Sequence, residues 1–397
     1  MSATETTGSA KPSESAWPFV LLTFGVSRLF FSLVGTLASS RLPWVPPSPV
    51  SAPSGYLGYW AHWDGAWYSA IATEGYGFRA PESTTFFPLY PMLMWVGTTI
   101  GGGPALWGVL ISLTATLFAL YFLYQIAEKL LNPRAARAAT LAFACFPTAF
   151  FLNAVYTEAL FLAFTTGSFW AAYVRRDLLL AGALGALAAA TRNFGVLLLI
   201  PLGYEWLRSR REFGWRKALG IGFVPVGLLG YMVLLWARFG DPLISFRQQN
   251  AHWNRELTSP LTTLKEAWIS ARVGLNYVLN PASLFLGRAP GPALEASNTL
   301  NLAFLILLLI LVGIGFAVLP PGLSVYASLF TLLPVLTPSP LFPLMSLPRF
   351  MLGAFPLFFV LGHLLSRSRI ALYLWLLVSS GLGAALTAMF VTWRWVA

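Results

Sequence analysis

The sequence predicts an all-α, polytopic membrane protein of about eleven membrane-spanning helices, with further helices lying along its outer face. Three observations lead there. Of 397 residues, 57% are hydrophobic and only 10% are charged, where soluble proteins carry about 25% charged residues. The mean hydropathy is +0.69. The basic residues fall in short clusters between apolar runs, which is how cytoplasmic loops of membrane proteins are marked. The net charge of +11 is therefore read as topology, and a nucleic-acid partner is not expected. A single cysteine, Cys145, lies in an apolar run, so neither an intramolecular disulfide nor a cysteine metal cluster can form.

Residues 1 to 16 are polar and rich in Ser and Thr, with no basic start and no small-residue cleavage site, so a disordered cytoplasmic tail is expected there. Residues 17 to 397 then form one transmembrane domain. Apolar stretches near the length needed to cross lie at roughly 17–40, 104–128, 138–153, 156–174, 178–191, 194–208, 217–237, 298–319, 321–337, 348–365 and 369–391. Orientation follows from Lys129 with Arg134 and Arg137, Arg175 with Arg176, the run from Arg208 to Lys217, and Arg367 with Arg369. All four clusters are placed in the cytoplasm.

The apolar segment 86–100 would invert everything after it if it crossed. Pro88, Pro91 and Gly97 flank or interrupt it, so it is expected to dip into the outer face and return at Gly101-Gly102-Gly103-Pro104. Non-helical backbone at that depth needs protein or a watery cavity around it. Two outer loops remain, a catalytic one at 41–103 and a substrate-facing or roofing one at 238–297. Within the second, Leu261, Leu264, Trp268 and Leu275 recur at helical spacing, as in a helix lying in the interface plane. The small-residue patch from Gly182 to Gly185 is read as helix packing, and Arg28, costly inside the first span, as a pairing residue.

With this topology the polar interruptions all fall on the outer side: Trp63-Asp64-Gly65, Glu82, the turn from Asn153 to Glu158, Thr191-Arg192-Asn193, Asp241 to Glu256, and Ser346 to Arg349. Asp64 stands among His62, Trp63, Trp67 and Tyr68, aromatics suited to stacking on sugar rings or to an interfacial belt. A carboxylate in such surroundings is a candidate general base for a sugar hydroxyl. Glu82 either assists it or caps the loop. Tyr90, Asn153 and Tyr156 are candidate substrate contacts. Glu158 either pairs with Arg192 or shapes the site. Arg192 and Arg349 are candidates for gripping a phosphate, since the planar guanidinium matches phosphate oxygens and stays charged when desolvated. Gln249, His252 and Trp253 are candidate contacts to sugar or acceptor. Three histidines without spaced carboxylate partners make a metal site unexpected, and no Gly-rich phosphate loop followed by Lys and Ser or Thr occurs.

The motifs Trp63-Asp64-Gly65 with Ile71-Ala72 and Gly75-Tyr76, then Phe86-Phe87-Pro88-Leu89-Tyr90-Pro91, Tyr156-Thr157-Glu158, Arg192-Asn193, Gly240-Asp241-Pro242 and Pro348-Arg349-Phe350 before Phe355-Pro356-Leu357 resemble the PIG-V type of GPI mannosyltransferase and its bacterial relatives, within the GT-C glycosyltransferase class. The resemblance implies a GT-C-like bundle at the cell membrane, with a cytoplasmic N-terminus. It implies inverting transfer of mannose, or a similar hexose, from a polyprenyl-phosphate donor to a lipid, glycan or protein acceptor on the extracytoplasmic side. Asp64 matches the first-loop aspartate assigned as base in that class, and Arg192 or Arg349 would stabilise the departing phosphate. No cofactor is expected, and metal independence is. The competing reading is a lipid or sugar transporter or flippase using the same outer cavity.

Overall fold

The computed structural model describes residues 15–45, 57–79, 81–339 and 342–396, with the side chains of His252 and Trp253 excepted; the tail expected at 1 to 16 lies almost wholly outside them. Among the described residues all regular structure is helical. The helices are α1 (Ala16–Arg41), α2 (Asp64–Glu74), α3 (Leu89–Ile100), α4 (Pro104–Leu130), α5 (Pro133–Ala144), α6 (Thr157–Tyr173), α7 (Leu178–Thr191), α8 (Leu199–Arg208), α9 (Arg210–Ala218), α10 (Val226–Phe239), α11 (Ile244–Trp253), α12 (Pro260–Val278), α13 (Pro281–Phe285), α14 (Gly291–Val318), α15 (Pro321–Leu336), α16 (Leu347–Phe350), α17 (Pro356–Leu365) and α18 (Arg369–Phe390). α1, α4, α14, α18 and the stretch Ile221–Phe239 are long and apolar enough to cross a membrane. The chain is a multi-pass membrane protein.

Of the remaining helices α12 has 19 residues and the others fewer, and three expected spans do not form as one helix; 348–365 divides into the single-turn α16, a turn at 351–355 and the ten-residue α17. The stretch 138–153 is not one helix. α5 starts earlier, where the Asn132 side chain accepts a 2.9 Å bond from the Ala135 amide and Pro133 occupies the first turn. It stops at Ala144, before Pro147, and gives way to a 3-10 turn at Ala149–Leu152. The stretch 194–208 likewise splits into a 3-10 segment, Asn193–Leu198, and α8. Protein encloses α5, with eight of its 12 residues buried, and α6, with nearly every residue buried.

α4, α6, α7 and α10 pack side by side, and a second group joins α5, α17, α1 and α18. Small residues permit the tightest approaches. A Cβ on Gly182 of α7 would lie 1.6 Å from the Gly220 carbonyl oxygen, and one on Gly362 of α17 would lie 2.5 Å from the Ala139 Cβ. The patch at Gly182 is thus packing, as expected. Arg28 is buried in α1 and forms no ion pair among the described residues; it donates to the Ala144 carbonyl (2.8 Å), the Ala149 carbonyl (2.6 Å) and Asn153 Oδ1 (2.7 Å). It thereby satisfies the open carbonyl end of α5.

α3 spans 12 residues, about 18 Å of rise against a hydrocarbon core of about 30 Å. It turns back into α4 through Gly101 and Gly102, whose φ values of 131° and 81° favour glycine. α12 buries its small face, Thr263, Ala267, Ala271 and Gly274, against α14, where Thr299 Oγ1 donates 2.7 Å to the Ala271 carbonyl. Of the expected apolar stripe, Leu261, Trp268 and Leu275 are left exposed, while Leu264 packs half-buried against the core.

Candidate active site

Asp64 is the first residue of α2, and Trp63 before it has φ 55° and ψ −119°, a conformation rare for a bulky residue and costing on the order of 1–3 kcal/mol. Three contacts hold it there. The Val155 amide donates 2.9 Å to the Trp60 carbonyl. The Tyr156 hydroxyl accepts from the Asp64 amide and donates to the His62 carbonyl, both at 3.2 Å. Gly65 lies so close to Val155 that a Cβ would come within 3.1 Å of its carbonyl oxygen. The Trp63-Asp64-Gly65 and Tyr156-Thr157-Glu158 motifs are therefore one physical unit.

α6 begins at Thr157 where antiparallel α7 ends, bringing Glu158 in the first turn of one beside Arg192 at the C-terminal cap of the other. Each charge sits at the helix end whose dipole favours it. The two form an ion pair, and Arg192 Nη1 also donates to Thr157 Oγ1 at 3.3 Å. Arg349, in the single-turn α16 that follows left-handed Ser346, donates from Nη1 to Asp64 Oδ2 at 2.6 Å, and its Nε lies 3.3 Å from Glu158 Oε1. A bond of 2.8 Å from Thr148 Oγ1 to the Pro348 carbonyl anchors that turn. Asp64, Arg349, Glu158 and Arg192 thus form a chain of alternating charge, with side-chain exposures of 23%, 11%, 5% and 18%.

This chain borders a cavity of about 440 Å³, within the usual range for small-molecule sites. Trp63, Asp64, Tyr68, Tyr156, Arg192, Gln249 and Arg349 all line it, joined by Phe86, Asn193, Arg255, Phe350 and Trp395. Five of the six polar segments expected to converge contribute to it.

Other expected contacts lie elsewhere. Asn153 faces away, donating to the Arg28 carbonyl (3.1 Å) and Ser32 Oγ (3.0 Å) while accepting from Arg28. Tyr90 is buried, its hydroxyl bonded to the Gly108 carbonyl and Ser112 Oγ at 2.9 Å. Trp67 stacks on Phe86 beneath the cavity wall. Glu82 opens a short 3-10 turn, Glu82–Thr85, and is absent from the lining, while Thr85, Phe86 and Phe87 contribute to it. His62 is stacked on Trp393 at 4.1 Å with Nδ1 3.1 Å from the Phe390 carbonyl; burial pushes its pKa down to about 4. His252 and Trp253 lie in α11, but their side chains lie outside the described residues.

Sequence reasoning overlooked Arg255 and the C-terminal segment. Arg394 binds the carbonyls of Pro43 (2.8 Å), Phe285 (2.9 Å) and Gly287 (2.7 Å), fixing Trp393 over His62 and Trp395 against Trp63. The closely spaced tryptophans near the end of the sequence were the available signal. Among the described residues no group of three or more His, Cys, Asp or Glu could hold a metal ion.

Fold and site together define a multi-pass helical membrane protein whose charged residues converge on one cavity. The family described as mannosyltransferase (PIG-V) matches residues 22–207, so the resemblance drawn from the motifs holds over the stretch that carries Asp64, Glu158 and Arg192. No curated protein matches the chain. Among solved structures, ArnT from Cupriavidus metallidurans bound to undecaprenyl phosphate is 15% identical, with a TM-score of 0.43 over 95% of this chain and 78% of that one. The Archaeoglobus fulgidus oligosaccharyltransferase tethered with an acceptor peptide is 11% identical, with a TM-score of 0.42 over 96% of this chain and 56% of that one.

Proposed function

We propose that the protein transfers mannose, or a similar hexose, from a polyprenyl-phosphate donor to a lipid, glycan or protein acceptor, with inversion at the anomeric carbon. The observation that carries this reading is the shared cavity: one carboxylate, Asp64, faces the same space as two guanidiniums, Arg192 and Arg349. In the proposed step an Asp64 oxygen takes the proton of the acceptor hydroxyl. The acceptor oxygen bonds to the anomeric carbon, and the bond from that carbon to the phosphate oxygen breaks. The electron pair leaves with polyprenyl phosphate, whose growing charge the guanidiniums stabilise. A phosphate needs no acid to protonate it as it departs, so one carboxylate suffices, unlike the pair used in glycoside hydrolysis.

Arg349 holds Oδ2 of Asp64, orienting the carboxylate so that its other oxygen can meet the acceptor. Tyr68, Trp63, Gln249 and Tyr156 supply the stacking and hydrogen-bonding surface a sugar needs. Positive charge neutralisation comes from arginine, and the reaction is proposed to run without a metal ion. We propose further that the protein lies in the cell membrane with its basic clusters cytoplasmic, its cavity extracytoplasmic and α3 half inserted.

The test is transfer by purified protein in nanodiscs, supplied with polyprenyl-phosphate mannose and host lipid extract, with and without a chelator. Release of polyprenyl phosphate with an inverted glycosidic product supports the reading. Product with retained configuration overturns the single-carboxylate step, and loss of transfer with chelator overturns metal independence. Movement of the intact donor across a sealed vesicle without bond cleavage would favour a flippase.

A further inference from the structure

Three guanidiniums, not two, surround one aromatic ring in the cavity. The guanidinium carbons of Arg192, Arg349 and Arg255 lie 5.3, 5.3 and 5.7 Å from the centroid of Phe350. Arg192 and Arg349 are held by Glu158 and Asp64. Arg255, in the loop between α11 and α12, forms no ion pair among the described residues; its side chain donates 3.4 Å to the Met345 carbonyl and lines the cavity.

We propose that Arg255 binds the phosphate of the lipid-linked donor and stays on it as the phosphate leaves. This rests on the glycosyl-transfer reading and deepens it. The charge balance carries the argument. Three guanidiniums against the two carboxylates Asp64 and Glu158 leave one positive charge, which matches the single negative charge of a sugar phosphodiester. When Asp64 takes the acceptor proton, two positive charges remain uncompensated. The departing polyprenyl phosphate is a monoester that carries up to two negative charges near neutral pH, so the cavity stays neutral at both ends of the step. Without Arg255 it would be one positive charge short throughout. A buried charge with no counter-ion is costly, and burial beside Arg349 and Arg192 pushes the Arg255 pKa down to about 10; a bound phosphate relieves that cost. Arg255 also forms no bond to either carboxylate, so it can engage the anion without breaking the Asp64–Arg349 pair.

The experiment measures binding of undecaprenyl phosphate, and of polyprenol lacking the phosphate, to detergent-solubilised wild type, Arg255→Gln, Arg255→Lys and Arg247→Gln. Arg247 is the control cation, exposed and paired with Asp241 on the same polar stretch. Arg255→Gln should bind the phosphate about tenfold to a hundredfold more weakly, the size of a charge-assisted contact. Arg255→Lys should recover part of that loss, and Arg247→Gln and polyprenol binding should be unchanged. Equal phosphate binding by folded Arg255→Gln and wild type overturns the assignment of Arg255 while leaving the glycosyl-transfer reading intact. No phosphate-dependent binding by the wild type overturns both.

Discussion

Arg349 ties the two halves of the chain together at the cavity, donating 2.6 Å from Nη1 to Oδ2 of Asp64, 285 positions away in sequence. The same side chain lies against Glu158 and over the rings of Phe151, Tyr156 and Phe350. A planar fork can address two carboxylates at once, and a lysine ammonium cannot hold that geometry. Arg349→Lys should therefore leave the protein folded but lower kcat at least about tenfold, the value of roughly one charge-assisted bond. Arg349→Leu leaves two carboxylates without this partner in a poorly solvated place and should cost about 3–5 kcal/mol of stability, measured by thermal unfolding in detergent.

Tyr156 is expected to matter for orientation. Its hydroxyl joins the Asp64 amide to the His62 carbonyl and holds Trp63 in its unfavourable conformation. Tyr156→Phe keeps the ring and removes the link, so it should cost about 1–2 kcal/mol. It should depress kcat more than it raises KM for the acceptor, as read from steady-state transfer kinetics.

His62 predicts a pH dependence of stability. Burial is the main cause lowering its pKa to about 4, opposed in part by the bond to the Phe390 carbonyl, while the unfolded chain titrates near 6.5. Protonation then favours the unfolded state. Its contribution is complete above about pH 6.5, falls by about 1.4 kcal/mol per unit as the pH drops, and is exhausted below about pH 4. Unfolding measured from pH 7 to 4 should show that slope, and His62→Gln should flatten it.

Gly182 provides a test of the packing that is remote from the chemistry. The atom its Cβ would strike, at 1.6 Å, is a backbone oxygen of Gly220 that no rotamer change can move. Gly182→Val should destabilise by about 3 kcal/mol. Gly222→Ala, with nothing within 4 Å of its added Cβ, should change stability by no more than about 0.5 kcal/mol.

What was legible in the sequence was the charge at intervals. Asp64, Glu158, Arg192 and Arg349 stand out because each interrupts apolar surroundings, and the fold joins all four in one chain of ion pairs. What was not legible was direction. Asn153 belongs to the same polar turn as Glu158, yet it points at Arg28, because the open carbonyls of α5 draw that arginine inward. Tyr90 sits in a motif beside the site but spends its hydroxyl on Gly108 and Ser112. Arg255 lies in a polar loop where Arg247 looks equivalent by sequence; only folding puts one in the cavity and pairs the other with Asp241 at the surface. The stretch 138–153 is not one span because hydrophobicity alone does not distinguish a membrane-crossing helix from a short one enclosed by protein, and α5 ends before Pro147.

The most direct test of the central claim is transfer by Asp64→Asn, compared with wild type at matched thermal stability and matched binding of polyprenyl phosphate. The substitution keeps the shape and removes the base, so the account predicts a fall in kcat of at least about a hundredfold with donor binding retained. An Asp64→Asn protein that transfers sugar at the wild-type rate would contradict it, since the acceptor proton would then be leaving through another group.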